Sequence, residues 1–288
     1  MKREPLDVHV DELALHYRDW GGEGRPLVLV HGLASTCRIW DLVAPLLARS
    51  FRVVAVDQRG HGESGKPDAG YDFATMAGDL RRFVGALGLH RPILVGHSWG
   101  GDVAVSYAHR FPGKVGGVCA IDGGIIELSA VPGMTRERAR EQLAPPQLDG
   151  MTLETLLGRA ESWLGFPVTP EIAESTKAIF AVQPDGTLRP RFARANHMQV
   201  IDALWDHRPS ELYPEISVPV LLMPTRMTGA SIPEERRIMK EQGIARAAEL
   251  LSVSTTVWLE DTIHDAPLQR PELVAETIER HVDDGFFG

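Results

Sequence analysis

The chain predicts an α/β fold built on a mostly parallel, doubly wound sheet. Short apolar runs of strand length alternate with stretches whose apolar residues recur at helical spacing. That alternation is what parallel sheets with crossover helices require. The glycine-rich turns fall at the carboxyl ends of the apolar runs, where open α/β sheets place their cleft. With 288 residues, 43% of them hydrophobic and 24% charged, the chain has the size and composition of a globular protein with a large core.

In chain order, Val8 to Val10 and Leu13 to Tyr17 alternate about Asp11-Glu12 and read as an antiparallel edge hairpin. Leu27 to Val30 is an apolar strand that runs into His31-Gly32-Leu33-Ala34-Ser35-Thr36, and a helix from about Cys37 to Arg49 follows. Phe51 to Val56 is the next strand. It ends in Asp57-Gln58-Arg59-Gly60-His61-Gly62-Glu63-Ser64-Gly65, too glycine-dense for a helix and hence a compact loop. Phe73 to Leu89 carries Met76, Leu80, Phe83, Val84 and Leu87 on one helical stripe. Pro92 to Val95 is a buried strand, Asp102 to Arg110 a helix, and Val115 to Ile121 a strand closed by Asp122-Gly123-Gly124.

From Ile125 to Tyr213 the texture changes. Prolines cluster, helical segments are short (Arg136 to Leu143, Leu153 to Leu164, Pro170 to Phe180, Phe192 to Leu204), and no strong strand is visible. This predicts a helical cap, residues 125–213, inserted after the strand that follows the Asp102 helix, with residues 1–124 and 214–288 forming the core domain. Strand texture resumes at Val218 to Met223 and Thr255 to Leu259, with helices at about Pro233 to Leu251 and Pro271 to Val282.

The formal net charge of −9 and the lack of a basic cluster argue against a nucleic-acid partner. Cys37 and Cys119 lie in apolar surroundings and read as buried free thiols. No run suits a membrane span, and Met1-Lys2-Arg3-Glu4-Pro5 starts no secretory signal, so the expected location is the cytoplasm, as monomer or homodimer. No cluster has metal-ligand spacing, and no cofactor is expected.

One pentapeptide carries most of the chemistry: Gly96-His97-Ser98-Trp99-Gly100, lying between a strand and a helix. A turn that sharp forces its central residue into a strained conformation and lifts the side chain clear of both elements. A hydroxyl held there faces the amide dipoles of a new helix, as an acyl-transfer nucleophile requires. The bland alternative is a glycine-rich turn with a chance serine. A serine also needs a base within hydrogen-bond reach. Of the 11 histidines, His97 is pinned inside the turn, and His31 and His61 sit in glycine loops where a ring braces the backbone. His264 lies just past the last strand, in a loop opening over the cleft.

Four stretches in this order resemble the α/β-hydrolase superfamily over essentially the whole chain: His31-Gly32-Leu33, Asp57 to Ser64, residues 96–100, and His264. Within it the chain is similar to the small, cap-bearing bacterial serine esterases and lactonases. The resemblance implies Ser98 as nucleophile, His264 as base, and the amides of Leu33 and Trp99 as the oxyanion hole. The family's usual acid position, after the strand before the last, holds Pro224-Thr225-Arg226-Met227-Thr228-Gly229 and no carboxylate. Some members use the end of the strand after the nucleophile helix, where Asp122 stands. Asp122 is the favoured acid; the alternatives are a turn-capping role for Asp122, with Glu234 or Asp206 as the acid.

Apolar side chains of the insertion and core, among them Trp40, Trp163, Phe166 and Trp205, are the candidate pocket. They favour a small, largely apolar substrate. The expected activity is hydrolysis of a carboxylic ester, or of a lactone such as an acyl-homoserine lactone, through an acyl-enzyme. Dehalogenases and epoxide hydrolases of the fold need a carboxylate where this chain has Ser98. Haloperoxidase or C–C bond hydrolase chemistry, and a ligand receptor without turnover, stand as further alternatives.

Overall fold

A computed structural model describes residues 6–148, 150–227 and 234–288. The hairpin of β1 (Leu6–Val10) and β2 (Leu13–Gly21) is antiparallel, and β2 pairs antiparallel with β4 (Arg52–Val56). β3 (Pro26–Val30), β4, β5 (Ile93–His97), β6 (Gly117–Ile121), β9 (Val220–Met223) and β11 (Ser254–Thr256) are joined by parallel pairings. The sheet has eight strands in the order β1-β2-β4-β3-β5-β6-β9-β11. It is the mostly parallel, doubly wound α/β sheet that the strand–helix alternation predicts.

Strand side chains alternate between the two faces. Val28, Val30 and Leu94 join Phe83, Trp99 and Val103 on one face, while Leu27, Leu29, Ile93 and Val95 join Trp40, Leu47 and Ile278 on the other. Helices α2 (Phe73–Ala86) and α3 (Trp99–Arg110) cover the first face. The short α1 (Ala44–Leu47) and the C-terminal α11 (Pro271–Asp283) cover the second.

Between β6 and β9 run α4 (Arg136–Gln142), α5 (Leu153–Leu164), α6 (Pro170–Ala178), α7 (Arg194–Asp206) and α8 (Pro209–Leu212). They are interrupted by a hairpin of β7 (Phe180–Val182) and β8 (Leu188–Pro190) that the sequence reading missed. Its turn, Gln183-Pro184-Asp185-Gly186-Thr187, carries a proline–aspartate–glycine signal that could have revealed it. Gly186 sits at φ 82° and the Asp185 carboxylate accepts the Thr187 N–H at 2.9 Å.

Two other expectations are corrected. The helix expected from Cys37 to Arg49 is a 3₁₀ turn, Cys37–Trp40, followed by the separate α1. Pro45 has no N–H to continue a helix through that point. The strand expected from Thr255 to Leu259 is two pieces, β11 and β12 (Leu259–Glu260), which pair respectively with β9 and β10 (Thr225–Arg226). Pro224 separates β9 from β10 and breaks the ladder in the same place. The chain is completed by α9 (Glu234–Leu250) and α10 (Ala266–Gln269).

Candidate active site

The site sits at the carboxyl ends of β3, β5 and β6 and in the loop after β12. β5 enters α3 through Ser98, whose φ of 53° and ψ of −130° lie outside the regions L-residues favour. The turn closes only because two of its residues lack a side chain. A Cβ on Gly96 would lie 2.3 Å from the Gly100 carbonyl oxygen, and one on Gly100 would lie 2.4 Å from that of Val30. Ser98 is half-buried, and its N–H donates to the Ile121 carbonyl at 2.9 Å, which sets it beside the end of β6.

Asp122 is the next residue of β6's exit. Its N–H donates to the Met223 carbonyl at 3.0 Å, and its φ is 45°, a left-handed value that aspartate tolerates better than most residues. The carboxylate is buried and fully occupied. Oδ2 accepts from His264 Nδ1 at 2.7 Å; Oδ1 accepts the Thr225 N–H at 2.9 Å and lies 2.6 Å from Lys240 Nζ. Burial alone would raise its pKa, but the His264 hydrogen bond and charge, joined by Lys240, hold it well below the ordinary carboxylate range.

His264 is half-exposed, with 52% of its side chain accessible. Loss of hydration works against its charged form, but the hydrogen bond and charge of Asp122, together with Asp265, outweigh it and raise the pKa above the ordinary value; Lys240 pulls the other way. Because Nδ1 faces a carboxylate, Nδ1 carries the proton and Nε2 is the basic nitrogen. His97, from the end of β5, donates Nε2–H to the His264 carbonyl oxygen at 2.8 Å, and the two rings lie 4.8 Å apart. Burial and the neighbouring His264 lower the His97 pKa to about 4, so it is neutral near pH 7. The residue before Ser98 thus holds the loop that bears His264. Among the described residues, no hydrogen bond joins Ser98 Oγ to His264 Nε2. Such contacts commonly tighten only when substrate binds.

The loop after β3 lies against the same turn: a Cβ on Gly32 would be 3.0 Å from Ser98 Cβ. Among the described residues, neither the Leu33 nor the Trp99 amide has a hydrogen-bond partner. The two histidines of the glycine loops brace the backbone. His31 Nε2 accepts the Gln58 N–H at 3.0 Å, and His61 Nε2 accepts the Ala34 N–H at 3.2 Å. In the loop at 57–65, Asp57 accepts the N–H of Cys37 at 2.6 Å and of Glu63 at 3.0 Å, and Arg59 forms a two-point pair with Asp79. His16, Cys37 and Asp57 offer potential metal-ligand atoms within 4.8 Å of one another. The Asp57 oxygens already serve those backbone amides, and burial with the Asp57 charge pushes the Cys37 thiol well up. These donors are committed to the fold and make a poor cation site.

A cavity of about 240 Å³ lies beside the Leu33 loop, lined by Leu33, Ile39, Leu156, Leu164, Asp265 and Leu268 among others; Ser98 and His264 are not in its lining. Phe166 and Trp205 are not in its lining, and the side chain of Trp163 lies outside the described residues. Trp40 is a correction. It is fully buried on the opposite face of the sheet from Trp99, packed with Leu27, Leu29 and Leu47, and does not line this cavity. Asp206 is also displaced from the acid role: it is 63% exposed and paired with Arg136. The Glu234 side chain lies outside the described residues. Lys240 was missed by the sequence reading, which had no means of pairing a lysine on a polar helix with Asp122.

A sequence model described as alpha/beta hydrolase fold matches residues 25–170. The chain belongs to the α/β hydrolases. It is 29% identical to a 2-(acetamidomethylene)succinate hydrolase of Mesorhizobium japonicum over 283 residues, covering 96% of this chain and 94% of the relative. The crystal structure of an E-2-(acetamidomethylene)succinate hydrolase superposes with a TM-score of 0.78 at 25% identity, covering 97% of this hydrolase and 99% of that chain. A soluble epoxide hydrolase of Corynebacterium sp. (strain C12) is 45% identical over 95 residues, which span only 33% of its length and 33% of this one. No helix among the described residues is long and apolar enough to cross a membrane.

Proposed function

We propose that this α/β hydrolase cleaves carboxylic esters of small, largely apolar substrates through an acyl-enzyme on Ser98. The observation that carries the reading is the 2.7 Å contact of His264 Nδ1 with Asp122 Oδ2 beside the strained Ser98 turn. His264 Nε2 takes the Ser98 proton as Oγ attacks the carbonyl carbon. Asp122 stabilises the imidazolium that forms. The oxyanion is received by the Leu33 and Trp99 amides, and α3's N-terminus adds its dipole. The C–O bond of the ester breaks, His264 returns the proton to the departing alcohol, and water activated by His264 releases the acid.

The helical segment 125–213 serves in this reading as a cap that supplies the roof of the apolar cavity through α5 and α6. Ring opening of a lactone follows the same steps; titration of released acid from each substrate class separates the two. The near-full-length relative brings a second reading, hydrolysis of 2-(acetamidomethylene)succinate or a similar dicarboxylate. The mostly apolar lining of the cavity beside the Leu33 loop supports the apolar ester, whereas the second reading would draw on the larger cavity of about 680 Å³ lined by Arg18, Arg38, Lys177 and Arg191; assaying both substrates separates the two. Two buried, unpaired thiols, Cys37 and Cys119, support a reducing, cytoplasmic setting.

A fluorophosphonate is expected to label Ser98 and no other residue, as read by peptide mass spectrometry, in a protein that hydrolyses p-nitrophenyl esters. Labelling elsewhere, or no turnover on any acyl length, would refute the reading. The raised His264 pKa also fixes a sign. The base works only when neutral, so kcat/KM falls as pH drops through a value above the ordinary histidine pKa of about 6.5. A pH–rate profile on p-nitrophenyl butyrate checks this; an acid limb below about 6 would contradict it.

A further inference from the structure

We propose that Lys240 is a positioning residue of the site: its ammonium holds the Asp122 carboxylate by the oxygen that His264 does not use, and so sets how firmly that carboxylate grips the imidazolium. The inference rests on the Ser98–His264–Asp122 reading.

The geometry leaves the lysine no other task. Nζ lies 2.6 Å from Asp122 Oδ1 and donates to the Thr225 carbonyl at 2.9 Å and to Thr225 Oγ1 at 3.0 Å. An ammonium has three N–H donors, and all three are used. Thr225 in turn donates its N–H to the same Asp122 oxygen at 2.9 Å. Lys240 and Thr225 thus clamp Oδ1, leaving Oδ2 aimed at His264. The lysine is largely buried, at 22% side-chain exposure, and the aspartate is at 5%, so the pair is poorly screened by water. Thr225 belongs to the stretch 224–229, which follows the strand before the last, where the resemblance puts the family's usual acid, and which holds no carboxylate. In this chain that segment supplies donors to a carboxylate carried by the neighbouring strand.

A cation on Oδ1 competes with the imidazolium for one negative charge. His264 is faced by Asp122 from the end of β6, Asp265 from its own loop, His97 from β5 and Lys240 from α9. The two carboxylates favour its charged form, the lysine opposes it, and His97 is neutral. Removing the Lys240 charge therefore makes the imidazolium more stable, and His264 gives up its proton only at higher pH.

The test measures His264 directly by ¹H NMR titration of its ring Cε1–H, assigned with His264→Gln, in wild type, Lys240→Met, Lys240→Gln and Lys240→Arg. Both neutral variants are expected to raise the His264 pKa by about half a unit or more, and Lys240→Arg to leave it near the wild-type value. The acid limb of kcat/KM should move upward by the same amount. An unchanged His264 pKa in a folded neutral variant would overturn the proposal. So would loss of the folded state in both neutral variants with Lys240→Arg folded, since Lys240 would then be a structural ion-pair partner only. The NMR titration needs no turnover, so an absence of hydrolysis would refute the ester reading without touching this result.

Discussion

Replacing Ser98 by alanine is expected to lower kcat on a p-nitrophenyl ester by at least about 10⁴-fold while leaving the fold intact. The two halves of that expectation have separate causes. In the proposed mechanism Ser98 Oγ is the atom that forms the acyl-enzyme, and alanine has no oxygen to take its place. The same oxygen makes no hydrogen bond to a described residue, so its loss leaves no buried partner unsatisfied. The turn is shaped by Gly96 and Gly100 and by the Ser98 backbone, whose φ of 53° strains alanine about as it strains serine. Steady-state assays together with circular-dichroism melting separate the effects. Residual activity within about tenfold of wild type would show that Ser98 is not the nucleophile.

Asp122→Asn is expected to cost about 10⁴-fold in kcat. An asparagine has the same shape but only one oxygen. Three donors converge on the aspartate: Lys240 Nζ and the Thr225 N–H at Oδ1, and His264 Nδ1 at Oδ2. The two donors at Oδ1, one of them charged, take the amide oxygen. The amide NH₂ then faces His264 and turns Nδ1 into an acceptor. That places the imidazole proton on Nε2, where the Ser98 proton should go, and the ring is in the wrong tautomer to act as base. The variant also leaves the Lys240 charge without its carboxylate, so stability should fall by about 3 kcal/mol in urea denaturation. Near-normal kcat would take the acid role away from Asp122.

How much of this was legible in the sequence differs from residue to residue. Ser98 could be read because its flanks announce their structure: an apolar run, two glycines and a helical stripe within a short stretch. His264 could be read because it follows the last strand. Asp122 could be proposed but not separated from Glu234 or Asp206, since what distinguishes them is which one lies next to the imidazole. Trp40 was misread as pocket because an aromatic in an apolar stretch looks the same whether its neighbours are side chains or substrate. Lys240 gave no signal, because its partner belongs to a strand far back in the chain.

Local pattern by itself determined the sheet, its strand order of appearance, the turn at Ser98 and the loop holding His264, because backbone preferences and side-chain periodicity act over a few neighbouring residues. Only the tertiary structure decided which carboxylate meets His264, that a lysine shares it, and which apolar side chains surround the cavity. Those are contacts between segments distant in the chain, and their energies depend on distance and burial that no stretch of sequence carries alone.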